Sequence, residues 1–149
     1  MKNIVSSQLD NQYLQEWNHE INVNRRCVVY RIFKTTLNFE PYLKDLHFVE
    51  RRALCKFRTG SHNLPIFKSR LTGREEGDVN CKFCESNYCD EFHTLFQCPY
   101  FKDQRKMYLK KVMYEKPSAF KMTSLFNSSK KETCNLAKFC KYIITKFQA

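Results

Sequence analysis

The sequence predicts a mainly α-helical fold, a small domain whose helices flank one irregular loop. Glycine and proline are scarce, with three and four residues, which argues against a turn-rich sandwich or barrel. Hydrophobic residues make up 42% of the 149 residues and aromatic residues 15%. That is enough apolar surface for a packed core and too much for a disordered tail. A chain of this length suits a single domain.

Helical periodicity supports this fold class. Apolar residues recur at helical spacing in five segments, which start at Leu9, Phe39, Val49, Leu109 and Leu136. The first segment continues through Tyr13 and Trp17, and the last keeps its apolar stripe over three turns. We therefore predict five helices, of which the last is the most regular.

Local signals place the ends of three of these helices. Gly60 is predicted to be the left-handed C-cap of the third helix. Pro117 must end the fourth, because proline cannot continue a helix interior. Ser129 and Glu132 have the spacing of a capping box and predict the start of the fifth.

The remaining segments connect the helices. Residues 27–33 are ambiguous between a strand and a buried helix. Residues 59–80 are predicted to form a loop, because they contain Gly60, Pro65, Gly73 and Gly77. The single domain, 1–149, then divides into N-terminal helices (8–58), a basic loop with a cysteine and histidine island (59–101), and basic C-terminal helices (102–149).

Charge is distributed unevenly along a chain with a formal net charge of +11 and a pI near 9.3. Residues 1–50 are neutral. Residues 51–80 hold seven Lys/Arg and three Asp/Glu, a net +4. Residues 102–149 hold twelve Lys/Arg and three Asp/Glu, a net +9. Between these two basic segments, residues 81–101 hold one Lys/Arg and three Asp/Glu, a net −2. A domain with this balance is attracted to polyanions, because contacts to phosphates release condensed counterions.

The acidic island has the spacing of a metal site. Cys81 and Cys84 form a C-x2-C pair, and His93 and Cys98 follow as H-x4-C. Together they would make a Cys3His tetrahedron, the closed coordination of a structural zinc site. Because a closed shell leaves no position for a water molecule, we expect such a zinc ion not to catalyse a reaction.

Cys89 leaves a second ligand assignment open. It lies within the island and could replace Cys98 or His93. We favour Cys98, because Cys98-Pro99 ends the island.

Several motifs between residues 50 and 106 follow one another in a fixed order. An Arg58-Thr59-Gly60 helix end precedes His62, a basic loop, the C-x2-C pair, Asp90-Glu91-Phe92-His93, Cys98-Pro99 and then Arg105. This order resembles the C-terminal zinc-binding (CCHC) region of non-LTR retrotransposon reverse transcriptases. The chain departs from the family at Asp78-Val79-Asn80, where an arginine is usual, and at Cys89, where cysteine is not expected.

The resemblance implies that the chain is the C-terminal part or a remnant of such a reverse transcriptase, and that it contacts RNA template or target DNA. Its partners would be RNA, DNA or both, and the polymerase part of the parent RNA-directed DNA polymerase. We expect no catalysis by this chain, since its five aspartates include no adjacent pair for metal-dependent nucleotidyl transfer. The alternative is a zinc-stabilised protein–protein interaction domain.

The nucleic-acid contacts are predicted in the basic stretch before the island. The candidate residues are Arg51, Arg52, Lys56, Arg58, Lys68, Arg70 and Arg74. Lysines of the last segment, such as Lys130, Lys131 and Lys141, are expected to matter less, because we interpret that helix as a core element with a solvated face.

The expected location is intracellular, in a nuclear or cytoplasmic ribonucleoprotein. The N-terminal residues lack the apolar core of a signal peptide, and no segment is apolar over the length of a bilayer, so we expect no membrane contact. Eight cysteines without a secretory signal indicate a reducing compartment and metal ligands or free thiols instead of disulfides.

Overall fold

The computed structural model of the protein describes residues 2–73 and 79–149, and within those ranges the chain is helical and contains no strand. The mainly α fold is thereby confirmed. The α-helices are α1 (Lys2–Val23), α2 (Tyr30–Phe33), α3 (Tyr42–Asp45), α4 (Phe48–Arg58), α5 (Pro65–Thr72), α6 (Lys102–Tyr108), α7 (Lys111–Tyr114), α8 (Ala119–Phe126) and α9 (Lys130–Gln148). No described helix is long and apolar enough to cross a membrane.

Helix α9 forms the centre of the core. It begins with the predicted capping box, in which the Ser129 backbone N–H donates to the Glu132 carboxylate. Its side chains Leu136, Phe139 and Ile143 are fully buried. Helices α4, α6 and α8 all pack against it. Full burial of each such side chain stabilises the fold by about 1.5–3 kcal/mol, so α9 supports the helices on either side of the island.

Helix α4 ends as the sequence predicts. Gly60 follows the helix with φ +63°, in the left-handed region that glycine adopts without strain. A Cβ atom at this position would lie 2.7 Å from the carbonyl oxygen of Arg26. The position therefore requires glycine for its backbone angle and for the close approach of the 3₁₀ turn Arg25–Val28.

The prediction that residues 59–80 form a loop is wrong for α5. This helix has proline at its N-terminus, Pro65, and ends at Gly73, which is left-handed at φ +67°. Both are helix-boundary signals. The loop prediction rests on the glycines and prolines alone, and the residues between Pro65 and Gly73 lack the amphipathic stripe that would have indicated a helix. Gly77, on which the loop prediction also rests, lies outside the described residues.

Three other predicted elements differ in detail. The Phe39 segment forms one helical turn, α3, and leaves Phe39 exposed. The Leu109 segment is interrupted, because Leu109 is extended between α6 and α7. The ambiguous residues 27–33 fold into the end of the 3₁₀ turn and α2, not a strand.

Helix α1 is present as predicted, but most of its stripe does not face the core. Leu9 and Tyr13 are 60% and 63% exposed, whereas Ile21 is buried near the end of the helix. Helix α1 contacts the 3₁₀ turn and α2. The periodicity therefore identified a helix whose apolar side is only partly covered by the rest of the chain.

Arg58 is buried, which corrects its assignment as a nucleic-acid contact. The side chain has 0% exposure; its guanidinium donates to Glu40 at 3.1 Å and to the backbone carbonyl of Phe126 at 2.9 Å. The rings of Phe33 and Tyr42 lie 5.6 and 5.2 Å from its guanidinium carbon. Because Arg58 lies one turn beyond Leu54 on the core-facing side of α4, it stabilises the fold and is not available to a ligand.

Candidate metal centre

Four side chains of the island converge on one point. The Sγ atoms of Cys81, Cys84 and Cys98 and a ring nitrogen of His93 all lie within 4.8 Å of one another. Cys84 is half-buried and the other three are buried. The sequence-predicted ligand set is therefore brought together, and it could hold a metal ion.

A tight turn presents the first two cysteines. The Cys81 N–H donates to the Ser86 carbonyl at 2.9 Å, and the Cys84 N–H donates to the Cys81 carbonyl at 3.4 Å. These bonds fold residues 81–86 so that both sulfurs face the same side. A C-x2-C pair needs this kind of turn for two thiolates to reach one ion.

A single turn of π-helix, His93–Gln97, positions the other two ligands. The Cys98 N–H donates to the His93 carbonyl at 2.8 Å. Donor and acceptor are five positions apart, which is the hydrogen-bond pattern of a π-helix. At the start of the turn, the His93 N–H donates to the Asp90 carboxylate at 2.7 Å. The wide turn therefore brings the first and last residues of H-x4-C to the same side.

The distances fit a tetrahedral ion. The Cys98 sulfur lies 3.8 Å from the Cys81 sulfur and 3.9 Å from the Cys84 sulfur. Thiolates that bind one tetrahedral zinc-sized ion at about 2.3 Å lie about 3.8 Å apart. A disulfide would require about 2.05 Å, and all these cysteines are free thiols.

Cys89 lies outside the four-ligand group. Its side chain is fully buried, and burial together with neighbouring Cys81 raises the pKa of its thiol. The group of mutually close ligand atoms contains Cys98 and not Cys89. The geometry therefore agrees with the assignment that the sequence analysis favoured.

Without a cation, burial favours the neutral forms of two of these ligands. Burial and the neighbouring thiols of Cys81 and Cys84 raise the pKa of Cys98 to about 12, although the Tyr100 backbone opposes this shift. Burial lowers the pKa of His93, which favours the neutral imidazole that binds metals. A metal ion deprotonates the thiols that coordinate it, so it would offset the cost of gathering them in a buried site.

Arg105 stabilises the end of the π-helical turn. It is 6% exposed, and its guanidinium donates to the backbone carbonyls of Leu95 and Cys98 at 2.6 and 2.9 Å. Cations at the C-terminal end of a helix satisfy carbonyls that have no partner within the helix. Arg105 therefore joins α6 to the segment that carries His93 and Cys98.

Glu91 joins the metal centre to α5 and to the end of α4. Its fully buried carboxylate accepts from His62 Nε2 at 2.7 Å and from both terminal nitrogens of Arg70, at 2.6 and 3.0 Å. His62 Nδ1 accepts from the Leu64 N–H, so Nε2 carries the proton that is donated to Glu91. Burial alone would raise the pKa of Glu91, but His62 and Arg70 together lower it to about 2.

Arg70 is therefore also corrected as a candidate nucleic-acid contact. Its side chain is only 10% exposed, and its guanidinium forms a bidentate pair with Glu91. Burial lowers the pKa of Arg70, but the hydrogen bond to Glu91 more than offsets this and raises it. Sequence reasoning counted Arg70 as a surface charge because its partner is 21 positions away in the chain.

The other predicted contacts lie in different settings. Arg52 and Lys68 are exposed on α4 and α5, whereas Arg51 and Lys56 are half-buried on α4. The Arg51 guanidinium donates to the Leu43 carbonyl. Arg74 lies outside the described residues. Four of the seven candidates are described, are at least partly exposed and form no ion pair with a buried carboxylate. They are Arg51, Arg52, Lys56 and Lys68.

Lys141 joins this surface, which changes the expectation that it matters less. An open groove between α4 and α9 is lined by Arg52 and Lys56 on one side and Lys141 on the other. The Lys141 side chain is 48% exposed, and its Nζ lies 3.7 Å from the Glu50 carboxylate. We call Arg51, Arg52, Lys56 and Lys141 the α4–α9 cationic face.

Comparisons with known proteins give no relative: no protein-family model, no curated protein and no solved structure matches this chain.

Glu91 provides a direct test of the network beside the metal centre. The Glu91→Gln variant should lower the free energy of unfolding by about 3–5 kcal/mol, because it leaves the buried Arg70 guanidinium without a counter-charge. Denaturation in urea of the metal-loaded proteins measures this change. Glu85→Gln, at an exposed position of the same island, is the matched control and should have little effect. Equal losses in the two variants would contradict the network.

Proposed function

We propose that this chain is a nucleic-acid-binding module held together by one structural zinc ion, of the kind found at the C-terminus of non-LTR retrotransposon reverse transcriptases. It contacts RNA or DNA without catalysis of its own. The observation that supports this proposal best is the pairing of a closed, largely buried Cys3His ligand group with a cationic face on α4 and α9.

The donor set supports zinc. Three thiolates and one imidazole at tetrahedral spacing are typical of structural zinc sites. When bound, zinc would supply a fixed cross-link between residues 81–84 and residues 93–98. All four positions would be filled by Cys81, Cys84, His93 and Cys98, which leaves no site for an activated water.

The charge distribution supports a nucleic-acid partner. The island carries a net −2, a charge that repels phosphate, so we assign it the task of fixing its surroundings. Through Glu91, it holds His62 at the end of α4 and Arg70 on α5. The cations of the α4–α9 cationic face are then held by rigid helices, which lowers the entropy lost when a phosphate backbone binds.

A protein-interaction role is the second candidate, and one observation favours it. Helix α1 exposes Ile4, Val5, Leu9 and Tyr13, each more than half exposed. Exposed apolar side chains on one helix are common features of surfaces that bind other proteins. A salt series separates the two candidates, because only phosphate binding gives affinity that falls steeply with salt.

The zinc assignment predicts about one zinc ion per chain in protein that has been purified without exposure to a chelator. Cys98→Ser should lose the ion, because it removes one of four ligands. Cys89→Ser should retain it, since Cys89 lies outside the ligand group. Elemental analysis of the purified variants measures both. Metal-free wild-type protein, or loss of zinc from Cys89→Ser alone, would contradict the assignment.

The cationic face predicts a specific salt dependence. The double variant Arg52→Gln/Lys56→Gln should weaken binding to all sequences, because it removes two charges that neutralise phosphate. The slope of log K against log salt should fall by about one for each phosphate that the protein no longer neutralises. Titrations of labelled RNA and DNA over a salt series measure this slope.

The matched control for that titration is Lys106→Gln/Lys131→Gln, which removes the same charge from exposed positions on α6 and α9. It should leave the slope almost unchanged. The cationic face would be the wrong surface if the control loses binding and the α4 variant keeps it.

A further inference from the structure

One aromatic side chain stands out on the cationic side of α4. Phe48, the first residue of the helix, is 59% exposed. Arg51, Arg52 and Cys55 follow at three, four and seven positions, so they lie on the same side of the helix as Phe48. The opposite side of α4, with Leu54 and Phe57, is buried in the core. Phe48 therefore points away from the core in the midst of the cations.

An open cleft of about 460 Å³ lies beside this ring. Its lining combines the apolar side chains of Leu43, Phe48 and Cys55, which we call the wall, with the cations Arg51, Arg52 and Lys56, which we call the rim; Thr59 and Ser61 complete it. Among the described residues, no carboxylate lines it. The Arg51 guanidinium carbon lies 6.0 Å from the centre of the Phe48 ring. The cleft thus combines an aromatic surface with three cations and no negative charge.

We propose that this cleft receives an unpaired base of a single-stranded nucleic acid, which stacks on Phe48 while Arg51, Arg52 and Lys56 contact the flanking phosphates. The inference rests on the proposed function and names the class of nucleic acid. An apolar peptide would need only the wall, and a phosphate alone would need only the rim. A nucleotide uses both, because its base has an apolar π-face and its backbone is anionic.

Base pairing decides between single strands and duplexes. In a duplex each base is stacked between its neighbours, so its face is not available to a side chain. Only an unpaired base can stack on an aromatic ring, and such stacking is tolerant of sequence. A duplex can contact the cationic rim but leaves Phe48 unused. The cleft therefore predicts a preference for single strands that depends on the aromatic ring and not on charge.

The arrangement also explains which aromatic residues do not serve this purpose. Phe57 is fully buried, and Phe83 stacks on Tyr100 with ring centres 4.2 Å apart. Phe120 is 79% exposed on α8, but it lies outside the cleft. Phe48 is the aromatic residue that the cleft brings together with Arg51 and Arg52.

The test compares a labelled single-stranded oligonucleotide with the duplex of the same sequence, each titrated with the zinc-loaded 149-residue chain over a salt series. Wild-type protein should bind the single strand at least about tenfold more tightly. Phe48→Leu keeps an apolar side chain but removes the ring, and should weaken single-strand binding by about tenfold. Duplex binding and the salt slope should not change. Phe48→Trp should retain the single-strand preference, and Phe120→Leu should have no effect.

The outcomes separate this inference from the proposed function. If wild-type protein binds neither nucleic acid, the proposed function fails and the cleft proposal with it. If it binds both equally, or if Phe48→Leu weakens duplex and single-strand binding alike, only the cleft proposal is overturned. Circular dichroism of Phe48→Leu, expected to match wild type because the side chain is exposed, identifies any loss of binding that comes from misfolding.

Discussion

The buried carboxylate of Glu91 imposes the constraint on which the arrangement of the site depends. A carboxylate with no exposure can remain in a protein core only if hydrogen bonds and an opposite charge replace its water. His62 and Arg70 supply them. Because Glu91 lies two residues before His93, this requirement fixes the metal-ligand segment against the end of α4 and against α5. Arg105 fixes the same segment from the other side, through the carbonyls of Leu95 and Cys98. The ligand group is therefore held by three helices as well as by any ion.

Features set by nearby residues could be predicted from the sequence, and features set by distant partners could not. The four candidate ligands could be identified because the C-x2-C and H-x4-C spacings are local. The capping box of α9 and the left-handed Gly60 are also set by neighbouring residues, so they could be predicted as well. The burial of Arg58 and Arg70 depends on Glu40 and Glu91, which are 18 and 21 positions away. A single sequence does not show such pairs, so both arginines were counted as surface charge. The position of Lys141 beside Arg52 was missed because it depends on the packing of α9 against α4.

Only part of the basic stretch before the island is available to a ligand. The arginines of this stretch that the structure describes divide into two groups: Arg58 and Arg70 hold the structure together through carboxylates, and Arg51 and Arg52 remain on the surface. A formal charge count cannot separate these groups, although only the second can neutralise phosphate. The surface group also gains Lys141 from a part of the chain that the resemblance to reverse transcriptases does not cover. The proposed nucleic-acid surface is thus built from α4 and α9, and the proposed zinc site acts on it from a distance by fixing the end of α4.

Hydrogen exchange of the protein before and after metal chelation tests this account most directly. A structural zinc can supply on the order of ten kcal/mol of apparent binding free energy, which is available to folding only while the ion is bound. The amides of Cys81 and Cys98, whose hydrogen bonds close the two ligand turns, should lose protection first, followed by α5 through Glu91. The amides of α9 should remain protected, because its side chains Leu136 and Ile143 are fully buried and the helix also packs against α4 and α8, which carry no ligand. Unchanged protection throughout residues 79–101 after removal of the metal would contradict the claim that an ion organises this part of the chain.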